Sequence, residues 1–172
     1  MPRAWISIGS NIDAHSNVAG AIRELRKGFG DVMLSPVYEA RAVGFDGPAF
    51  VNLVAGIETE LPAAEVARRL GDIEARFGRI RGEAAFSSRT LDLDLLTYGN
   101  TASSVNGKPL PREDILKYAF VLRPLAEVAP AERHALDGRT YAELWSAFGG
   151  DTTGLKLVAP KFLEEAEAEN RG

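Results

Sequence analysis

Apolar and polar positions along the chain fall into a few regular segments. Residues 4–8 (AWISI) are short, apolar and rich in strand formers, and stop at the turn cluster Gly9-Ser10-Asn11. Val18, Ile22 and Leu25 then recur at helical spacing, with Ser16 or Asn17 as the expected N-cap. Residues 32–39 predict a second strand. Residues 41–48, with two glycines and a proline, predict a loop, and 50–59 (FVNLVAGIET) a third strand. Over 61–77, Val66, Leu70, Ile73 and Phe77 share one face while charged residues lie elsewhere, the pattern of an amphipathic helix ended by Gly78. A charged loop over 79–88 precedes a fourth strand at 91–98 (LDLDLLTY), closed by Gly99-Asn100. After a loop ending at Pro109-Leu110-Pro111, residues 115–127 predict a helix interrupted at Pro124. Residues 141–148 and 161–169 predict two more helices, the last polar and peripheral.

The strands at 32–39 and 50–59 are joined by a loop alone, which favours antiparallel pairing. The expectation is an α+β sandwich with helices mainly on one face. No internal repeat or low-complexity linker divides residues 1–172, so a single domain is expected, with about 150–172 as a peripheral tail.

Composition narrows the class. The length of 172 residues, 45% apolar and 26% charged, suits one soluble globular domain with a sizeable core. No apolar run approaches the ~18 residues of a membrane span. With no signal-like start either, a cytoplasmic location and no membrane partner are expected. Cysteine is absent, which removes disulfides, thiolate metal sites and cysteine nucleophiles. A net charge of −4 speaks against a nucleic-acid partner. Only His15 and His134 occur, both in polar surroundings and expected at the surface, so carboxylates and arginines must carry any chemistry.

The most informative string is Arg89-Thr-Leu-Asp92-Leu-Asp94-Leu-Leu. Alternate residues of a strand share a face, so Asp92 and Asp94 project together and the intervening leucines can bury. Two carboxylates so held repel unless a cation lies between them, and magnesium with bridging phosphates suits the pair. The other interpretation is a half-exposed strand that happens to carry two aspartates, although aspartate is a poor strand former. Arg79, Arg81 and Arg89 flank the loop before this strand and are suited to clamping phosphates or to forming a solvated basic loop. Asn52, inside an apolar strand, needs partners if buried; its amide can read a heteroaromatic ring or satisfy the backbone. Phe50, Phe86 and Phe120 are core candidates as much as stacking platforms. Neither a P-loop nor a dinucleotide fingerprint is present.

Together the strings S-I-G-S-N, S-P-V-Y, F-V-N-L-V, I-E-x-x-x-G-R-I-R, S-R-T-L-D-L-D-L-L-x-Y-G and A-F-V-L-R-P-L-A-E-V-A-P, from about Ile6 to Pro130, resemble the hydroxymethyl-dihydropterin pyrophosphokinase family of folate biosynthesis. The resemblance implies a ferredoxin-like α-β-α sandwich with a mainly antiparallel sheet. It also implies transfer of the β,γ-pyrophosphoryl unit from ATP, with two Mg2+ ions, to a pterin alcohol, releasing AMP. Carried over residue by residue, Asp92 and Asp94 resemble the metal ligands, and Arg79 and Arg89 the loop arginines that assist transfer. Glu74, Arg81 and Leu95 fall at nucleotide positions. Val43, Phe50, Asn52, Phe86 and Phe120 fall at pterin positions.

The chain departs from the family pattern in three places. Ala40-Arg41-Ala42 stands where a threonine and proline are common, Pro111-Arg112 where a Pro-His pair is, and Tyr118 where an arginine is often found. Arg112 and Lys117 are expected to take over nucleotide-phosphate contacts, and a monomer is expected. A paralogue acting on a modified pterin, a catalytically weak pterin- or nucleotide-binding protein, and a ferredoxin-like RNA-binding module are the competing interpretations.

Overall fold

The structure, a computed structural model, describes residues 1–41, 47–78 and 91–158. In chain order its elements are β1 (Arg3–Ser10), α1 (Ala14–Phe29), β2 (Met33–Leu34), β3 (Tyr38–Ala40), β4 (Phe50–Glu58), α2 (Ala63–Arg76) and β5 (Asp92–Tyr98). There follow β6 (Ser103–Val105), β7 (Lys108–Leu110), α3 (Asp114–Lys117), α4 (Ala119–Val128), α5 (Tyr141–Ser146) and β8 (Lys156–Leu157). The main sheet runs β5-β1-β4-β3-β8, with β2 also on β4, and every pairing is antiparallel. β5 forms one edge.

Alternation along β1, β4 and β5 divides the apolar residues between two cores. Ile6, Ile8, Leu53, Ala55, Ile57 and Leu93 face α1 and α2, where Ile22, Leu25 and Leu70 meet them. Trp5, Val54 and Leu96 face the other way, against Leu122 and Leu125 of α4 and Leu144 of α5. Helices therefore cover both faces. This corrects the expectation of one covered face drawn from element order and agrees with the α-β-α sandwich. Double coverage also explains why β4 is buried without a break from Val51 to Ile57. Gly56 interrupts that strand because a Cβ there would stand 2.3 Å from the Trp5 ring. The Trp5 indole Nε1 donates to Glu132 at 3.1 Å.

Several boundaries differ from expectation. α1 begins at Ala14, ahead of Ser16 and Asn17, and Asn17 lies in its first turn, donating its Nδ2 to the Ile12 carbonyl. The strand expected at 32–39 is split at Ser35-Pro36, where Pro36 lacks an N–H. Ser35 bridges the gap: its N–H donates to the Val54 carbonyl and its Oγ accepts from the Val54 N–H. The segment at 115–127 breaks at Tyr118, whose backbone is extended, while Pro124 sits within α4. The loop before Pro109 is a hairpin, β6–β7, turned by Asn106 and Gly107 at φ of 52° and 77°. β8 adds a short strand beside β3. The helix expected at 161–169 lies outside the described residues.

His134 is 4% exposed, which corrects its expected place at the surface. Its Nδ1 accepts from the backbone N–H groups of Leu136 and Asp137, so the ring is held neutral and burial lowers its pKa. Among the described residues no helix is long and apolar enough to cross a membrane.

Candidate active site

Strand register sets the site. Tyr38 pairs with Asn52, Asn52 with Gly9, and Gly9 with Asp92, so one transverse row crosses β3, β4, β1 and β5. Neighbouring strands lie ~4.8 Å apart, which puts the Asn52 and Asp92 backbones about 10 Å from each other. Gly9 between them has no side chain, and a Cβ there would stand 3.0 Å from Asn52 Oδ1. The row thus carries an amide at one position and a carboxylate two strands away, with a trough between.

Asp92 and Asp94 alternate with Leu91, Leu93 and Leu95, which are buried against α1 and α2, so both carboxylates project toward the α4 side. Phe50 and Asn52 share that face with Val54, and Phe120 reaches the same core from α4. The Asn52 amide is nearly buried and its Nδ2 donates to the Phe50 carbonyl at 3.4 Å.

Burial, and then the charge of Asp92, push the Asp94 pKa up to about 6, against the opposing pull of Arg112 and Lys108. A cation would relieve this pair. Among the described residues no group of three or more histidines and carboxylates could hold a metal. Two carboxylates alone suit magnesium, which keeps waters and phosphate oxygens in its remaining positions. The Arg112 Nη1 lies 3.4 Å from Asp94 Oδ1 and its Nη2 3.8 Å from Asp114 Oδ1.

Among the described residues no strand pairs with the outer edge of β5. Glu74 of α2 accepts from the Leu93 N–H at 2.9 Å, and the Arg112 N–H donates to the Leu96 carbonyl at 2.9 Å. Between these two points, at Leu95, lies a groove of about 120 Å³ whose walls include Leu70, Lys108 and Leu110. That is small beside the ~300–1,000 Å³ of ordinary ligand sites, enough for one part of a nucleotide. Lys108 was not a candidate in the sequence, although Asn106-Gly107 just before it is a strong hairpin signal that would have brought it back toward β5.

Lys117 is exposed, its Nζ 5.2 Å from the centroid of Tyr118, and Tyr118 stacks on Phe120 at 4.9 Å. At the β3 end of the row, the Tyr38 hydroxyl donates to Glu127 of α4, and burial with this contact pushes its pKa up to about 12. Asp92, Asp94, Arg112, Glu74, Leu95, Phe50, Asn52 and Phe120 are thus gathered on two connected surfaces. Val43, Arg79, Arg81, Phe86 and Arg89 lie outside the described residues.

Comparison with known proteins is consistent in direction. A sequence profile described as 7,8-dihydro-6-hydroxymethylpterin-pyrophosphokinase matches residues 5–130. The 2-amino-4-hydroxy-6-hydroxymethyldihydropteridine pyrophosphokinase of Methylorubrum extorquens is 37% identical over 162 residues, covering 92% of this chain and 99% of that one. Its namesake from Synechocystis is 35% identical over 160 residues, covering 91% and 80%. In structure, the chain is similar to a Plasmodium falciparum HPPK-DHPS at TM-score 0.64 and 11% identity, covering 84% of this chain and 44% of that one. An HPPK-DHPS crystallised with substrates gives a TM-score of 0.68 at 12% identity, covering 86% and 43%. These structural matches bear on the ferredoxin-like α+β fold.

Proposed function

The chain belongs to the 7,8-dihydro-6-hydroxymethylpterin-pyrophosphokinase family, and on that premise we propose that it transfers pyrophosphate from MgATP to the hydroxymethyl group of 6-hydroxymethyl-7,8-dihydropterin. In this reaction the pterin hydroxyl oxygen bonds to the β-phosphorus, the bond from that phosphorus to the α-phosphate bridge breaks, the hydroxyl proton is lost, and AMP leaves.

The transverse row through Asn52, Gly9 and Asp92 is the observation that supports this most. Asn52 offers an amide donor and acceptor to the edge of a pterin, with Phe50 and Phe120 as apolar walls. The trough over Gly9 leaves space for the hydroxymethyl arm to reach toward the carboxylates. On the other side, the groove along the β5 edge takes the nucleotide base between Glu74 and Leu95, and the triphosphate runs from it toward Asp94 and Arg112. Two magnesium ions held by Asp92 and Asp94 would supply the positive charge that offsets the phosphates and the leaving AMP. Such a transfer needs in-line placement and charge neutralisation and no protein nucleophile, which suits a site built from aspartates, arginines and an amide. Arg79 and Arg89 are assigned to phosphate, Arg81 to the nucleotide, and Val43 and Phe86 to the pterin side, by their match to family motifs.

Incubating the protein with MgATP and 6-hydroxymethyl-7,8-dihydropterin should yield AMP and the pterin diphosphate in equal amounts. ADP in place of AMP, or no pterin-dependent turnover, would reject the assignment.

A further inference from the structure

The Arg112 backbone is tied to β5, its N–H donating to the Leu96 carbonyl at 2.9 Å, so its side chain starts beside the carboxylate pair. That side chain is only 16% exposed. Its Nη1 donates one long hydrogen bond to Asp94 Oδ1 at 3.4 Å, and its Nη2 stands 3.8 Å from Asp114, both longer than the 2.7–3.2 Å of a good N–H···O bond. Charge and that single long bond hold it there, and among the described residues no bidentate bond locks it. It also lines the β5 groove together with Lys108 and Asp94. We propose that Arg112 is a tethered cation that stands in for metal at Asp94 in the empty enzyme and moves to the nucleotide phosphates when metal and ATP arrive together.

The proposal rests on the nucleotide and metal placement above and adds an order to it. A bare divalent ion must displace a guanidinium whose other described partner is Asp114 at 3.8 Å, a long contact, so it binds weakly. A metal–nucleotide complex brings phosphate oxygens that accept the same guanidinium, so metal and nucleotide bind as a unit. Arg112 is therefore both a competitor of free metal and a ligand of the complex, and its removal should move these two affinities in opposite directions.

The test uses the full chain, Mn2+ alone as the metal probe, read by the electron paramagnetic resonance of free ion, and the Mg2+ complex of α,β-methylene-ATP, read by calorimetry. Arg112→Gln should bind Mn2+ about fivefold more tightly than wild type, the scale of a partly buried ion pair, and the nucleotide complex about tenfold more weakly. Adding Asp94→Asn to Arg112→Gln should abolish the gain for Mn2+. Arg112→Met should repeat the pattern and serves if the glutamine variant does not fold. Unchanged Mn2+ affinity would leave Arg112 a phosphate ligand only and overturn the proposal. Tighter binding of both probes would make it a fixed partner of Asp94 and overturn it equally, as would a Mn2+ gain that survives Asp94→Asn. Failure of AMP formation in wild type, with the opposed shifts intact, would instead count against the transfer reaction.

Discussion

Asp94 sits where a carboxylate is held against its preference. Its folded pKa of about 6 lies above the ordinary 3.8, so between these values the folded chain binds a proton that the unfolded chain has lost. Stability therefore falls as pH rises from about 4 to about 6, and above that the full penalty, on the order of 3 kcal/mol, remains until a metal ion adds its charge to that of Arg112. Asp94→Asn should raise the melting temperature of metal-free protein by several degrees at pH 7.5, with a much smaller gain at pH 4.5, while turnover drops about a thousandfold. Melts in chelator at the two pH values, beside steady-state rates, check both halves; a destabilised variant at pH 7.5 would show that the carboxylate is held at ease. At this scale the sequence exposed Asp92, Asp94 and Asn52, because polar groups inside apolar strands stand out. It did not expose Lys108, which reaches Asp94 only across a hairpin. Nor did it expose His134, whose polar neighbours in sequence supply backbone donors to a buried ring.

Among elements, the pairing of β1 with β4 and β5 decides whether the site forms, because it alone puts Asn52 and Asp92 in one row. Gly9 is the point of contact. Gly9→Ala adds a methyl group 3.0 Å from the Asn52 amide oxygen without requiring an unusual backbone angle. The variant should fold, with stability reduced by about 1 kcal/mol and the pterin KM raised roughly tenfold, the ATP KM moving much less. Steady-state kinetics varying each substrate in turn decides it; equal changes in both constants would mean that the trough is not where the pterin lies. Element existence was largely legible from periodicity, since α1, α2, β1, β4 and β5 have strong patterns. Boundaries were less so where a side chain replaces backbone: Ser35 continues a ladder that Pro36 cannot, which no propensity reveals.

For the whole molecule, one sheet serves two cores. Leu25 packs with α2 on one side, while the two tryptophans, Trp5 and Trp145, belong to the other. Because β1 and β4 belong to both cores, the layers should unfold together. Leu25→Ala should cost ~2–5 kcal/mol and shift the denaturation midpoint by tryptophan fluorescence as much as by far-ultraviolet circular dichroism. A fluorescence midpoint left unmoved would separate the layers. Two-sided coverage was written in the Val51–Ile57 run of β4, apolar except for Asn52, although the order of elements suggested one side. Family resemblance carried the correct layering where element order did not.

Among the described residues β5 ends the sheet. A strand edge without a paired strand is a template on which a foreign chain can align, and the Glu74 carboxylate and the Arg112 N–H each engage a backbone group along it. A nucleotide seated at Leu95 would fill the interval between them. The substrate would then double as a guard for that edge.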